Sequence, residues 1–482
     1  MVPPRTAISF RGRSETHREP SAGRAHVVSK GIEIPDYSPV NTRRRKKAQL
    51  WAVLLVYLCR LSGAVGAQVQ PDLSAQLSMF QTQLPPESFP GEFLLFVGAA
   101  LSPDGEQIAA AYFTQVSKRR PASVVLNLRT WKVGTQEPIA LKQIPAIQEA
   151  ESDLTSGRPF ARPEGFVQYC DHGSGIMVSD PHGTLYYLNP QTLEVLHATA
   201  TNMSMGGTRT DPLLTSERVF CAANRPRAVL AAYGGFGNGR YGNGLVRVYD
   251  LTSGMLLQEW NMTKHPYYFG DVAISPNGNE IAVSRVPTNT WRRAKGVPNL
   301  ELFDVNSGKL TLRVKTGHLP GRIIFAGETQ VATDDTVVPE PFFPHPKIKL
   351  WDASNGKLIR EFGDPEVGAR RFVGASSDGN VILGYIPKET LRTARFTDPW
   401  NETLEQRFRL WDAATGRTIA TSPPFLPNLN SPSKGRNEER DPSLEVSANG
   451  RAVIVFWKSP WKETFPIYVF SEAPGGTAPT TH

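Results

Sequence analysis

Four stretches of the chain alternate apolar with polar side chains and stop at an aspartate: VRVYD (246–250), LELFD (300–304), IKLWD (348–352) and FRLWD (408–412). A period of two sends successive side chains to opposite faces, so each stretch predicts a β-strand. Each of these aspartates is followed four residues later by a glycine, at 254, 308, 356 and 416, after which a second short run begins. That order predicts a tight turn and a returning strand. Weaker copies occur at VVLNLRTWKVG (124–134), LYYLNPQTLEV (185–195) and IYVFSEAPGGT (467–477). They place Asn127, Asn189 and Ser471 where the others carry Asp250, Asp304, Asp352 and Asp412, which makes seven units spaced by 62, 61, 54, 48, 60 and 59 residues.

Upstream of four units lies a second marker: SPDG (102–105), SPNG (275–278), SSDG (376–379) and SANG (447–450). An Asp-Gly or Asn-Gly pair between apolar runs is a strong hairpin signal, because both positions tolerate positive φ. Each unit therefore reads as strand a, turn, strand b, a variable segment, strand c, turn, strand d. Seven such units predict an all-β fold, a seven-bladed β-propeller of four-stranded antiparallel blades.

The LWD endings, the SPDG turns and the TG turns resemble the WD40 repeat over roughly residues 93–471, with Asp250, Asp304, Trp351, Asp352, Trp411 and Asp412 carrying the match. The resemblance implies that these residues hold the scaffold. It also implies that AQLSMFQT (75–82) closes the ring as strand d of the last unit, whose own C-terminal end, EAPGGTAPTTH, has no strand. Two departures stand out: only Gly317-His318 supplies the family's Gly-His pair, and the units exceed its usual length of about 40–45 residues.

Composition matters mainly through where the charge lies. The net charge is +8 over 482 residues, but residues 1–67 hold 12 Lys+Arg against 4 Asp+Glu, and residues 68–482 hold 41 of each. The body of the protein thus offers no bulk electrostatic case for nucleic acid. Inside the leader, a basic cluster (Arg43 to Lys47) precedes an apolar run (Leu50 to Cys59) and the small residues Val65, Gly66 and Ala67. This order predicts a signal peptide over 43–67, and secretion or delivery to the periplasm. The apolar run falls short of the ~20 residues that cross a bilayer, and an uncleaved single-pass anchor is the alternative. Residues 1–42 read as disordered or as an over-extended start, 68–474 as the propeller and 475–482 as a disordered tail. Export permits a disulfide between Cys170 and Cys221. Such positions in adjacent blades are often too far apart to bridge, and two small buried thiols are the alternative.

Surplus length falls in the segments before strand c: 113–123, 233–244, 285–299, 334–347, 386–407 and 458–466. In a propeller these segments emerge at one mouth of the central channel, where binding residues are usually placed. Their formal charges are +3, +1, +4, −2, 0 and +1, together +7, which leaves −7 on the rest of residues 68–482. Arginines are interleaved with aromatics, and the candidate ligand-binding residues are Arg119, Arg120, Arg240, Tyr241, Trp291, Arg292, Arg293, Arg392, Arg395, Trp400 and Trp461. Guanidinium groups pair with carboxylate, sulfate or phosphate and aromatic faces stack on sugars or cations, which points to a protein partner or an anionic polysaccharide.

No residue pattern supports catalysis. Asp334-Asp335 lacks clustered further ligands, no His-x-x-x-His spacing exists, and neither a P-loop nor a nucleophile elbow is present. Quinoprotein dehydrogenases are also propellers, but their adjacent cysteines are missing and Trp260 follows Gly254 by six residues instead of about four. The expectation is a monomeric, non-enzymatic binding or scaffold module without cofactor or metal, with a glycan-acting hydrolase or lyase as the alternative.

Overall fold

A computed structural model describes residues 75–83, 92–115, 124–135, 137–145, 167–179, 183–201, 215–233, 244–262, 267–287, 299–317, 320, 322–334, 347–363, 370–386, 407–423, 443–456 and 466–471. They form seven antiparallel four-stranded sheets arranged as a ring. Blade 1 comprises Glu92–Leu101, Gln107–Gln115, Val124–Lys132 and Pro138–Pro145 as strands a to d. Blade 2 comprises Val167–Cys170, Gly175–Ser179, Thr184–Leu188 and Val195–Ala200, and blade 3 Thr215–Cys221, Arg227–Tyr233, Gly244–Asp250 and Leu256–Asn261. Blades 4 and 5 follow with Tyr267–Ile274, Glu280–Pro287, Leu300–Asp304 and Leu310–Val314, then Ile323–Ala326, Gln330–Asp334, Ile348–Asp352 and Leu358–Phe362. Blade 6 holds Arg370–Ala375, Val381–Ile386, Arg407–Asp412 and Thr418–Thr421. Blade 7 takes a to c from Ser443–Val446, Ala452–Phe456 and Pro466–Ser471.

The predicted turns close as their chemistry dictates. In the a–b turns the serine hydroxyl reaches the Asp or Asn two residues on and accepts from the first amide of strand b, as in Gln107 N to Ser102 Oγ (2.8 Å) and Ala452 N to Ser447 Oγ (3.0 Å). Gly105, at φ 77°, permits a close approach: a Cβ there would lie 2.8 Å from Ala452 of blade 7. In the c–d turns the aspartate caps the turn. Asp412 accepts from the amide and hydroxyl of Thr415 (both 2.6 Å), and Asp304 does the same with Ser307.

The core consists of seven apolar wedges, one between each pair of neighbouring blades. The residue preceding the turn at the end of strand c lies in the wedge shared with the preceding blade in all seven cases: Trp131, Leu188, Tyr249, Phe303, Trp351, Trp411 and Phe470. This explains why an aromatic recurs there: one large side chain fills the widening gap between two twisted sheets. Trp351 adds a hydrogen bond from Nε1 to Thr333 Oγ1 (2.9 Å).

Blade 1 corrects the sequence register. Gln107 pairs with Lys132, just as Glu280 pairs with Asp304 and Gln330 with Asp352. The turn position in blade 1 is therefore Lys132, not Asn127. With no carboxylate available, Thr135 closes the turn on the carbonyl of Lys132 through its amide and hydroxyl. Asn127 lies fully buried inside strand c, donating to Thr114 Oγ1 (2.8 Å) and accepting from Gln143 Nε2 (3.1 Å).

The ring closes through the N-terminal strand, and that strand engages two blades. Ser78–Gln83 runs antiparallel to Pro466–Ser471 as strand d of blade 7, while Ala75–Gln76 runs parallel to the outer strand of blade 6 at Ala420 and Thr421. Leu77 between them is buried with Leu410, Ala420 and Phe470. Blade 6 is consequently five-stranded.

Candidate functional site

In every blade strand b runs away from the a–b turn and strand c runs back toward it, so each b–c segment attaches at the same end of the ring. Arg119 and Arg120 lie between Gln115 and Val124, and Arg240 and Tyr241 between Tyr233 and Gly244. Trp291, Arg292 and Arg293 lie between Pro287 and Asn299, Arg392, Arg395 and Trp400 between Ile386 and Arg407, and Trp461 between Phe456 and Pro466. All eleven fall outside the described residues, while the strand ends that carry them are described. The topology brings their attachment points to one face; the short a–b and c–d turns occupy the other.

The stems of these segments revise the charge count. Strand b of blade 4 runs to Pro287, so Arg285 belongs to the sheet, where it pairs with Glu301 (2.6 Å). Glu301, on strand c and 5% exposed, also pairs with Arg313 of strand d (3.1 Å). Lys347 is likewise engaged, by Glu361 (3.0 Å). Two of the cations assigned to the segments are thus matched by carboxylates of the blade itself. Asp334, the other stem of the blade 5 segment, is buried and accepts from the amide of Arg322 (2.7 Å).

Strands a line the channel, and polar contacts cross from blade to blade along them. Arg218 of blade 3 pairs with Asp271 of blade 4 (3.2 Å), whose other oxygen accepts from the amide of Ile323 in blade 5 (2.9 Å). At the turn-face mouth, Glu328 of blade 5 accepts from the side chain of Asn224 in blade 3 (3.1 Å) and from the amide of Asn277 in blade 4 (3.0 Å). Nearby, Glu280 has its carboxyl pushed above the usual range, first by burial and then by Asp304 and Glu328. The SPNG repeat marked the turn that holds Asn277, but no sequence signal marked these contacts, because their partners are about fifty or more residues apart.

The repeat aspartates have the opposite electrostatic fate. Hydroxyl donors, Ser307, Ser354 and Thr415 respectively, hold the carboxyls of Asp304, Asp352 and Asp412 below the ordinary value. At Asp250 burial works the other way, but hydrogen bonds from Thr252 and Ser253 outweigh it and the carboxyl is lowered too. These groups are occupied in turn closure.

Cys170 and Cys221 form a disulfide, with Cα atoms 5.8 Å apart. The argument that equivalent positions lie too far apart fails here because both cysteines end innermost strands, where neighbouring blades converge. Among the described residues, no group of three or more His, Cys, Asp or Glu side chains is placed to hold a metal ion. No known protein-family model matches the chain, and no curated protein matches it.

Proposed function

We propose that the protein is an exported, WD40-like binding or scaffold module whose face bearing the b–c segments engages a protein or an anionic glycan. The observation that carries this reading is that the attachment points of the b–c segments share one end of a scaffold whose strands are hydrogen-bonded and wedge-packed throughout the described residues. Such a platform holds variable segments in fixed relative positions, which is what multipoint recognition needs. The Arg and Trp content of those segments supplies ion pairs and stacking surfaces for carboxylate, sulfate or phosphate groups. A disulfide suits an oxidising compartment and so accords with export by the leader.

The test is retention on a heparin or polyuronate resin. Native protein is expected to bind and elute with salt without releasing shortened glycan chains. Substituting Trp291, Arg292 and Arg293 together by alanine should lower the eluting salt while leaving the thermal melt unchanged. Unaltered elution would remove this face from the reading, and shortening of the glycan would replace binding with a hydrolase or lyase activity.

A further inference from the structure

Blade 2 departs from the other blades at both of its turns. Among the described residues, the non-glycine positions with positive φ are Asp171 (50°), His172 (55°) and Leu193 (54°), and all three lie in blade 2. Asp171 and His172 form the a–b turn where blades 1, 4, 6 and 7 use Asp-Gly or Asn-Gly. Leu193 donates its amide to the carbonyl of Asn189, the bond that Gly254 makes to Asp250 and Gly308 makes to Asp304. A side chain in this backbone region clashes with its own carbonyl, and the conformation persists only where the surroundings enforce it.

The enforcement is visible. Leu193 is locked in the wedge against blade 1. Cys170, immediately before Asp171, is bonded to Cys221 of blade 3, and the amides of Asp171 and His172 donate to the carbonyls of Ala222 and Ala223. Gln168 accepts from the amide of Cys221 (2.7 Å). The covalent link thus sits where a strained inner turn meets the neighbouring blade.

We propose that the Cys170–Cys221 disulfide is a redox latch that keeps blade 2 docked on blade 3, and that a dithiol reductant opens it locally without opening the rest of the ring. Cys170 is fully buried, whereas Cys221 is partly exposed. A thiolate of the reductant therefore attacks Cys221 Sγ, forming a mixed disulfide there. The electron pair of the broken bond leaves on Cys170 Sγ, which takes up a proton. The second thiolate of the reductant attacks its own sulfur in the mixed disulfide and displaces Cys221, which is protonated in turn. Two electrons pass from the dithiol to the cysteine pair, and the turn at 171–173 loses its anchor.

Hydrogen exchange of the full chain, followed by mass spectrometry with and without dithiothreitol, tests this. Peptides covering 167–179 and 219–223 should exchange at least ten-fold faster after reduction, while 323–334 and 381–386 keep their protection. The Cys170→Ser/Cys221→Ser double variant should behave like the reduced protein; if it does not fold, the dithiothreitol arm alone decides, since it starts from folded, oxidised protein. His172→Gly accepts the same backbone without the clash and should slow exchange of 167–179 in the reduced protein, an effect a merely structural bridge would not predict. A bridge that dithiothreitol leaves intact, unchanged exchange with both thiols alkylatable, or uniform loss of protection in all blades would overturn the latch.

Discussion

At the scale of single residues, the repeated Trp-Asp pair divides into two structural tasks. The aromatic fills the gap toward the preceding blade, so Trp351→Ala should cost about 3–5 kcal/mol of stability, read by denaturant unfolding. The carboxylate closes the turn, and its lowered pKa sets the sign of a pH effect. A folded-state value below the unfolded one, which is about 3.9, gives stabilisation that is fully present above that value and disappears as pH falls through the folded value. Melting temperature should therefore drop below about pH 4, and Asp304→Asn combined with Asp412→Asn should flatten that drop; an identical pH profile in the variant would contradict the assignment. The same residues show what could be read in advance. Asp250, Asp304, Asp352 and Asp412 announced their turns because an Asx cap has a recognisable partner at fixed spacing. Lys132 did not, because its turn is closed through a backbone carbonyl, which any residue possesses.

At the scale of elements, the strands were legible from their alternation and the turns from Asp-Gly and Asn-Gly pairs, but the pairing of distant segments was legible only in part. The closing strand at 75–82 was implied by the repeat resemblance, given that the last unit lacks a fourth strand; its second attachment, to Ala420 and Thr421, was not, since two residues in a parallel bridge leave no pattern. Leu77, seated between blades 6 and 7, makes that double attachment measurable. Leu77→Ala should destabilise the protein by about 2–4 kcal/mol, and a chain lacking residues 68–90 should lose its cooperative melt. A soluble truncation that still melts cooperatively would show that the ring closes without this strand. The disulfide was left open by sequence reasoning because its feasibility depends on how closely innermost strands converge, a property of the whole ring.

For the whole molecule, seven wedges of buried side chains account for the architecture, and the repeat made their number countable. The candidate binding face was legible only as composition. Its segments lack the period-two alternation that announces the strands on either side. What the described structure adds is the distinction between charges held by the blades, such as Arg285 and Lys347, and those beyond the stems, such as Arg292 and Arg293.

The double-blade closure also has a consequence in time. Ser78 pairs with Ser471, 393 residues later in the chain. At about 5–20 residues per second of synthesis, the first strand waits roughly 20–80 s for its partner to exist. Through that interval Leu77, buried beside Phe470 in the closed ring, is without the surface that receives it, and the seventh blade is the one that completes the first strand's environment. Ring closure through this strand pair therefore cannot precede synthesis of residues 466–471, and a chain stopped before residue 466 lacks the partner of Ser78–Gln83.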